Sequence, residues 1–327
     1  MLNEAIIAEA RSFMKSRVIL TAAELDFFTF LDKKPAAAKE IAKQLGLDVR
    51  AATRVLDCLI ALGLLQKNSD LYQNTETGAY FSANHPETVL PVIMHWNHLW
   101  TSWSELTNIV KKGTDKESSA GVRFNDAEMK AFVGAMHVIA HNLSREIADA
   151  YDLKPYKRLL DIGGASGTYT TAFLKKNPHM KAIIFELDDV IPLAQERLKA
   201  EGLSKRTELI AGDFYLDELP KGCDLALLSA IIHQNSDKDN LHLYERVFRA
   251  LEPGGTVLIR DHVMDESRTN PPAGTLFAIN MLVNTRDGDT YTFQEIKESL
   301  EKAGFVNVKL IRTGEKMDCL VEARKPR

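Results

Sequence analysis

Leu159-Leu160-Asp161-Ile162-Gly163-Gly164-Ala165-Ser166-Gly167-Thr168-Tyr169-Thr170 joins a short apolar run to a glycine-rich turn and the start of a helical pattern. A buried parallel strand reads as a continuous apolar run. Glycines directly after it let the backbone turn sharply and come close to a ligand where a side chain would clash. The stretch therefore reads as strand, turn and helix at a nucleotide-type cofactor site in an α/β sheet. A dinucleotide fingerprint would be spaced G-x-G-x-x-G, but those three places hold Gly163, Ala165 and Thr168. The spacing that fits is acid-x-Gly-x-small-x-Gly, carried by Asp161, Gly163, Ala165 and Gly167, with Gly164 inside the turn.

Further strands follow at the expected intervals. Lys181 to Glu186 is an apolar run closed by a carboxylate 25 residues beyond Asp161, near the ~20-residue offset at which an acid accepts from ribose hydroxyls. Thr207 to Phe214 ends in Asp213 and an aromatic, and Asp224 to His233 ends in an imidazole. Ligands bind outside the carboxyl ends of such strands. An imidazole there can accept a proton from a substrate hydroxyl, its pKa near 6.5 lying close to working pH.

The motif at Asp161 to Gly167 resembles the first motif of class I S-adenosylmethionine-dependent methyltransferases. His233-Gln234-Asn235-Ser236-Asp237, the helix after it, Glu252-Pro253-Gly254-Gly255 and the strand Thr256 to Arg260 resemble the small-molecule O-methyltransferases that include the plant phenolic and hydroxyindole enzymes. The likeness spans essentially the whole chain, in the family's motif order. It implies S-adenosylmethionine as cofactor, held by Asp161, Gly163, Gly164, Gly167, Glu186, Leu187, Gly212, Asp213, Phe214 and Ser229. Asp213 and Phe214 would lie at the adenine. It makes His233 the general base and Asp261 the acid that holds its imidazole. The family usually reads His-Asp-Trp where this chain has His233-Gln234-Asn235, and Thr290 stands where the family has a second catalytic glutamate; Asp289 or Asp287 are its possible substitutes. Some relatives of this fold use the cofactor for decarboxylation or hydroxylation, and the altered Gln234-Asn235 and Thr290 keep a non-methylating activity open.

Upstream, helices are expected at Thr21 to Leu31, Ala37 to Leu45 and Asp48 to Leu62, then a short ribbon. Gly46 reads as a helix stop and Asp48 as an N-cap, which resembles a winged helix-turn-helix. A DNA regulator would need a basic footprint. Residues 1–85 carry ten Lys/Arg and ten Asp/Glu, so nucleic acid is not the expected partner. In the resembled family this module makes a homodimer. The expected division is thus a dimerisation domain over 1–85, a helical linker and roof over 86–150, and the methyltransferase domain over 151–327. Along the roof the family places walls of the acceptor site, giving Trp96, Trp100, Trp103, Phe132 and Met136, with Asn280, Met281 and Asn284 from a later helix. Ordinary helix packing would produce the same stripes.

The fold expected is α/β, a Rossmann-like sheet with a C-terminal antiparallel hairpin at Val306 to Arg312 and Met317 to Ala323, preceded by the helical winged-helix domain. A net charge of -4 argues against polyanion partners. No apolar run approaches the ~18 residues of a membrane span, no leader pattern opens the chain, and Cys58, Cys223 and Cys319 are scattered without motif spacing. A cytoplasmic enzyme acting on a small hydroxylated acceptor fits these features. His95/His98 and His137/His141 are spaced for shared helix faces, but no third or fourth ligand accompanies them, so no metal is expected.

Overall fold

The computed structural model describes residues 3–115 and 126–327, which form two compact units, 3–100 with 126–138, and 101–115 with 139–327.

In the second unit the seven strands of the main sheet are β1 (Arg158–Ile162), β2 (Lys181–Glu186), β3 (Thr207–Ala211), β4 (Cys223–Ser229), β5 (Leu251–Asp261), β6 (Val306–Arg312) and β7 (Cys319–Arg324). They lie in the order β3-β2-β1-β4-β5-β7-β6. β1 to β5 pair in parallel, and β7 is antiparallel to β5 and β6, so the terminal pair is the expected hairpin. Apolar side chains alternate across the sheet. Leu160, Ile162, Ile183, Phe185, Leu228 and Ile259 enter one core, while Leu159, Ile184, Leu225, Leu227 and Leu258 enter the other. Both faces are dry, which is why the strands read as continuous apolar runs. The order reverses between β1 and β4, the switch point where an open sheet leaves a crevice at its carboxyl edge. The glycine-rich turn follows β1 and His233 follows β4.

Four strands have boundaries that differ from the sequence expectation; one is β7, which runs Cys319–Arg324 rather than Met317 to Ala323. β3 stops at Ala211, leaving Gly212 to Phe214 in the loop. β4 stops at Ser229, and His233 sits in a separate 3₁₀ turn, Ile232–Gln234. β5 starts at Leu251, because Leu251 pairs with Cys223 before the irregular Glu252 to Gly255 segment.

In the first unit, helices Ala38–Leu45 and Val49–Ala61 form as expected. Gly46 closes one at φ +70°, and Asp48 caps the next by accepting from the Ala51 N–H at 2.7 Å. The expected single helix Thr21 to Leu31 is instead two, Phe13–Glu24 and Phe27–Lys33, broken at Asp26 with φ +60°. The break turns Phe27, Phe28 and Leu31 into the same core as Ile41, Leu56 and Tyr72. Asp is among the few residues that tolerate that conformation. Within the expected linker and roof the sequence reads as two helical stretches, Leu90 to Trp103 and Met129 to Ala150, with a polar loop at Lys111 to Ser119 between them; the helices run Leu90–Ser104 and Asp126–Ala150. In the polar loop expected at Lys111 to Ser119, Lys111 and Lys112 instead end a helix, Leu106–Lys112, stopped by Gly113. Residues 116–119 lie outside the described residues. Among the described residues, no helix is long and apolar enough to cross a membrane.

Candidate active site

The glycine-rich turn is shaped first by the protein around it. Gly163 and Gly167 take φ of +66° and +75°, with Ala165 also positive at +47°. A Cβ on Gly163 would lie 2.6 Å from Ile231 Cδ1, one on Gly164 2.8 Å from Asp161 Cγ, and one on Gly167 2.9 Å from Ile184 Cδ1. Asp161 is buried under the turn, where Thr170 Oγ1 donates to its Oδ2 at 2.6 Å. Burial, opposed by that hydrogen bond and reinforced by Glu186, pushes its carboxyl up to about 6. Asp161 thus ties β1 to the following helix.

Glu186 at the end of β2 accepts the Ala165 N–H on Oε2 and the Leu187 N–H on Oε1, both at 2.8 Å. Each oxygen keeps a second lone pair. Burial raises its pKa against the pull of those two N–H groups. Leu187 is exposed, and Gly212 packs against Phe185, whose Cζ would be 2.3 Å from an added Cβ. Asp213 Oδ1 accepts the Tyr215 N–H at 2.8 Å, and Phe214 leans on the Tyr215 ring. The Phe214 ring edge lies 3.5 Å from where a Gly163 Cβ would be, so the β1 and β3 loops meet. Ser229 Oγ accepts from Arg260 Nε at 2.9 Å.

His233 is buried. Its Nδ1 lies 2.9 Å from both Oδ1 and Oδ2 of Asp261, at the end of β5. Among the described residues no partner takes Nε2. Burial pushes the Asp261 carboxyl up, but the His233 charge and hydrogen bond, Arg260 and the His262 N–H outweigh it and hold it below the usual carboxylate range. An ionised Asp261 fixes the tautomer with the proton on Nδ1 and the lone pair on Nε2. Thr290 is buried, but no hydrogen bond joins it to the imidazole. The substitutes considered for the missing acid are engaged elsewhere, Asp289 by Arg268 at 3.0 Å and Asp287 by Arg286 at 2.6 Å. The loop instead touches the base through its backbone, the Asp289 N–H donating to the His233 carbonyl at 2.9 Å.

Of the acceptor candidates, Trp103, Asn280 and Asn284 come together. Trp103 Nε1 donates to Asn280 Oδ1 at 3.0 Å, and Asn284 Nδ2 donates to the same oxygen at 3.0 Å. Met281 is buried on their helix, Pro272–Asn284. Trp96, Trp100, Phe132 and Met136 belong to the first unit. There Phe132 meets His95 edge-on, and Arg17 lies over Trp100. Among the described residues no group of three or more metal-ligating side chains assembles.

Phe277, Arg260 and His262 escaped the sequence reading. Phe277 presents its ring edge-on to His233, centroids 4.8 Å apart, and also packs on His262. Arg260 lies over the Tyr169 ring and donates to the Met317 carbonyl. Nothing in a run such as Thr256 to His262 tells which side chain the last pleat turns toward a ligand.

A family model described as an O-methyltransferase domain matches residues 103–306, and one described as an O-methyltransferase dimerisation domain matches residues 9–84. The chain belongs to the O-methyltransferase family. The expected methyl donor of that family, S-adenosylmethionine, stands with it. The tetracenomycin polyketide synthesis 8-O-methyl transferase TcmO of Streptomyces glaucescens is 31% identical over 329 residues, covering 98% of this chain and 96% of that protein. The acetylserotonin O-methyltransferase of Gallus gallus is 30% identical, covering 97% and 96%. Among solved structures, human N-acetylserotonin methyltransferase in complex with SAM matches with a TM-score of 0.85 and 24% identity, covering 100% of this chain and 99% of that one. PigF with SAH matches at 0.90 and 22%, covering 99% and 100%. At those identities the two structures speak for the fold.

Proposed function

We propose that this O-methyltransferase methylates a hydroxyl oxygen of a small aromatic or enolic acceptor, with His233 as general base. The carrying observation is the His233–Asp261 pair, which leaves Nε2 unclaimed at the carboxyl edge of the sheet. Ile231, two residues before the base, is the side chain that nearly touches Gly163, so base and glycine-rich turn share one corner. The TcmO and acetylserotonin relatives support a phenolic or hydroxyindole acceptor.

The turn suits an adenosyl cofactor. Its three positive-φ residues form a side-chain-poor cradle, and Glu186 keeps two lone pairs for ribose hydroxyls. Asp213 and Phe214 are assigned to the adenine, Leu187, Gly212 and Ser229 to the surrounding wall. Asp161 and Gly164 act beneath the turn, keeping its shape. When bound, the cofactor supplies an electrophilic methyl group on a sulfonium.

A phenol with pKa near 10 is ionised to about one part in a thousand at neutral pH. Nε2 of His233 takes that proton, and Asp261 stabilises the resulting imidazolium. Positioned proton transfer of this kind contributes ~10²–10⁴. With one carboxylate rather than two at the imidazole, the contribution is assigned to the lower part of that range. Trp103, Asn280, Met281 and Asn284 are assigned to acceptor positioning; for Trp96, Trp100, Phe132 and Met136 that role rests on the family likeness alone. The module over 1–85 is assigned to homodimerisation, 86–150 to the linker and roof, and 151–327 to catalysis.

A screen of phenols, naphthols and hydroxyindoles with methyl-labelled S-adenosylmethionine tests this. Label recovered as an aryl methyl ether is the expected result. A decarboxylated or hydroxylated product formed without transfer of the labelled methyl group would overturn it.

A further inference from the structure

Side chains that this mechanism does not use close around the turn that carries the base. Asn235, two residues after His233, is buried. Its Oδ1 accepts from the Tyr215 hydroxyl, its Nδ2 donates to Asn240 Oδ1 at 2.9 Å, and its carbonyl accepts from the Tyr291 hydroxyl. Asn240, also buried, donates from Nδ2 to the Ile232 carbonyl at 2.9 Å. The chain is therefore gripped immediately before and shortly after His233. Burial pushes the Tyr215 phenol above its ordinary range, so it stays a donor across working pH.

Tyr215 belongs to the turn after β3. Asp213 Oδ1 accepts its N–H, Asp217 Oδ2 accepts the Asp213 N–H at 2.8 Å, and its ring packs on Phe214. The Tyr215–Asn235 hydrogen bond thus joins the corner assigned to adenine to the turn that bears the base. A fully satisfied buried network favours one arrangement over its neighbours.

We propose that Tyr215 and Asn235 are positioning residues, which fix the His233 imidazole relative to the adenosyl corner at the place where the sequence departs from the family's usual Asp-Trp. The inference rests on the reading of His233 as base. Misplacement of a reacting group by about 1 Å can cost ~10²-fold, so Tyr215→Phe is expected to lower kcat by ~10–100-fold. Acceptor KM and cofactor affinity should stay within about twofold, because the lost hydroxyl is engaged with Asn235.

The test that needs no acceptor is histidine ¹⁵N NMR on the full chain with S-adenosylhomocysteine, the His233 signals assigned from a His233→Gln spectrum. The parent should show one protected Nδ1 proton. In Tyr215→Phe its exchange should be about tenfold faster or more, at unchanged S-adenosylhomocysteine affinity by calorimetry. Asn235→Asp keeps the oxygen for Tyr215 but loses the donor to Asn240, and should also accelerate exchange; it carries the comparison should Tyr215→Phe fail to bind. Equal exchange in the parent and in the variants that bind would overturn the inference. Kinetics separates it from the reading beneath it. Parental turnover in His233→Gln would remove the base itself, whereas an impaired His233→Gln beside a Tyr215→Phe of parental kcat at every pH would overturn the positioning role alone.

Discussion

Asp161 is the acid of the glycine-rich motif, yet its carboxyl is held at about 6 against an ordinary 3.8, chiefly by burial. A group raised in the folded state contributes stability that is present below its ordinary value and lost as pH rises through 6. A shift of that size corresponds to ~3 kcal/mol at pH 8. Asp161→Asn keeps an oxygen for the Thr170 hydroxyl and removes the charge. Its thermal midpoint without ligand is expected above the parent's at pH 8, with the gap closing toward pH 4; a constant gap across that range would count against this account. Asp261 behaves oppositely. Its carboxyl is held low once His233, Arg260 and the His262 N–H outweigh burial, so its stabilisation is present above the ordinary carboxylate range and lost as pH falls through its folded value. Asp261→Asn should therefore lower the melting midpoint at pH 7 by more than at pH 3, in the same calorimetric scan.

At the scale of elements, the turn between β3 and β4 is set by a glycine that packs on protein. A Cβ on Gly212 would lie 2.3 and 2.5 Å from two atoms of the Phe185 ring, which is itself buried in the sheet core. Overpacking such a site costs ~1–3 kcal/mol. Gly212→Ala should lose about that much in denaturant unfolding, and an unchanged midpoint would show that the ring yields freely. The sequence made Gly212 legible as part of a cofactor loop because glycine after a strand signals close approach, but a chain reading cannot say what approaches. The same limit explains the other misses. Lys181–Glu186 and Val306–Arg312 were legible to the residue because apolar runs with clear ends mark strands. The break at Asp26 was not, since its left-handed turn is imposed by Phe27 and Phe28 entering a distant core. His233 and Asp261 were legible from strand order and family likeness. Phe277, Arg260 and the Tyr215–Asn235 link depend on side-chain directions that only the assembled sheet determines.

For the molecule as a whole, the dimerisation-domain match over residues 9–84 leaves an apolar surface to account for. Ile6, Phe13 and Met14 are 65%, 52% and 54% exposed, and exposed apolar patches of this kind mark interfaces. The protein should scatter light as a homodimer at micromolar concentration, and Phe13→Glu should shift it toward monomer; a monomeric parent would contradict the assignment. In the proposed reaction this family fold moves a methyl group while His233 takes the acceptor's proton. The most direct measurement is kcat against pH for the parent and His233→Ala, using an acceptor found with labelled S-adenosylmethionine. A loss in the lower part of ~10²–10⁴ at neutral pH is expected, with near-parental cofactor affinity and partial recovery as the acceptor ionises at high pH. Parental turnover and an unchanged pH profile in His233→Ala would contradict it.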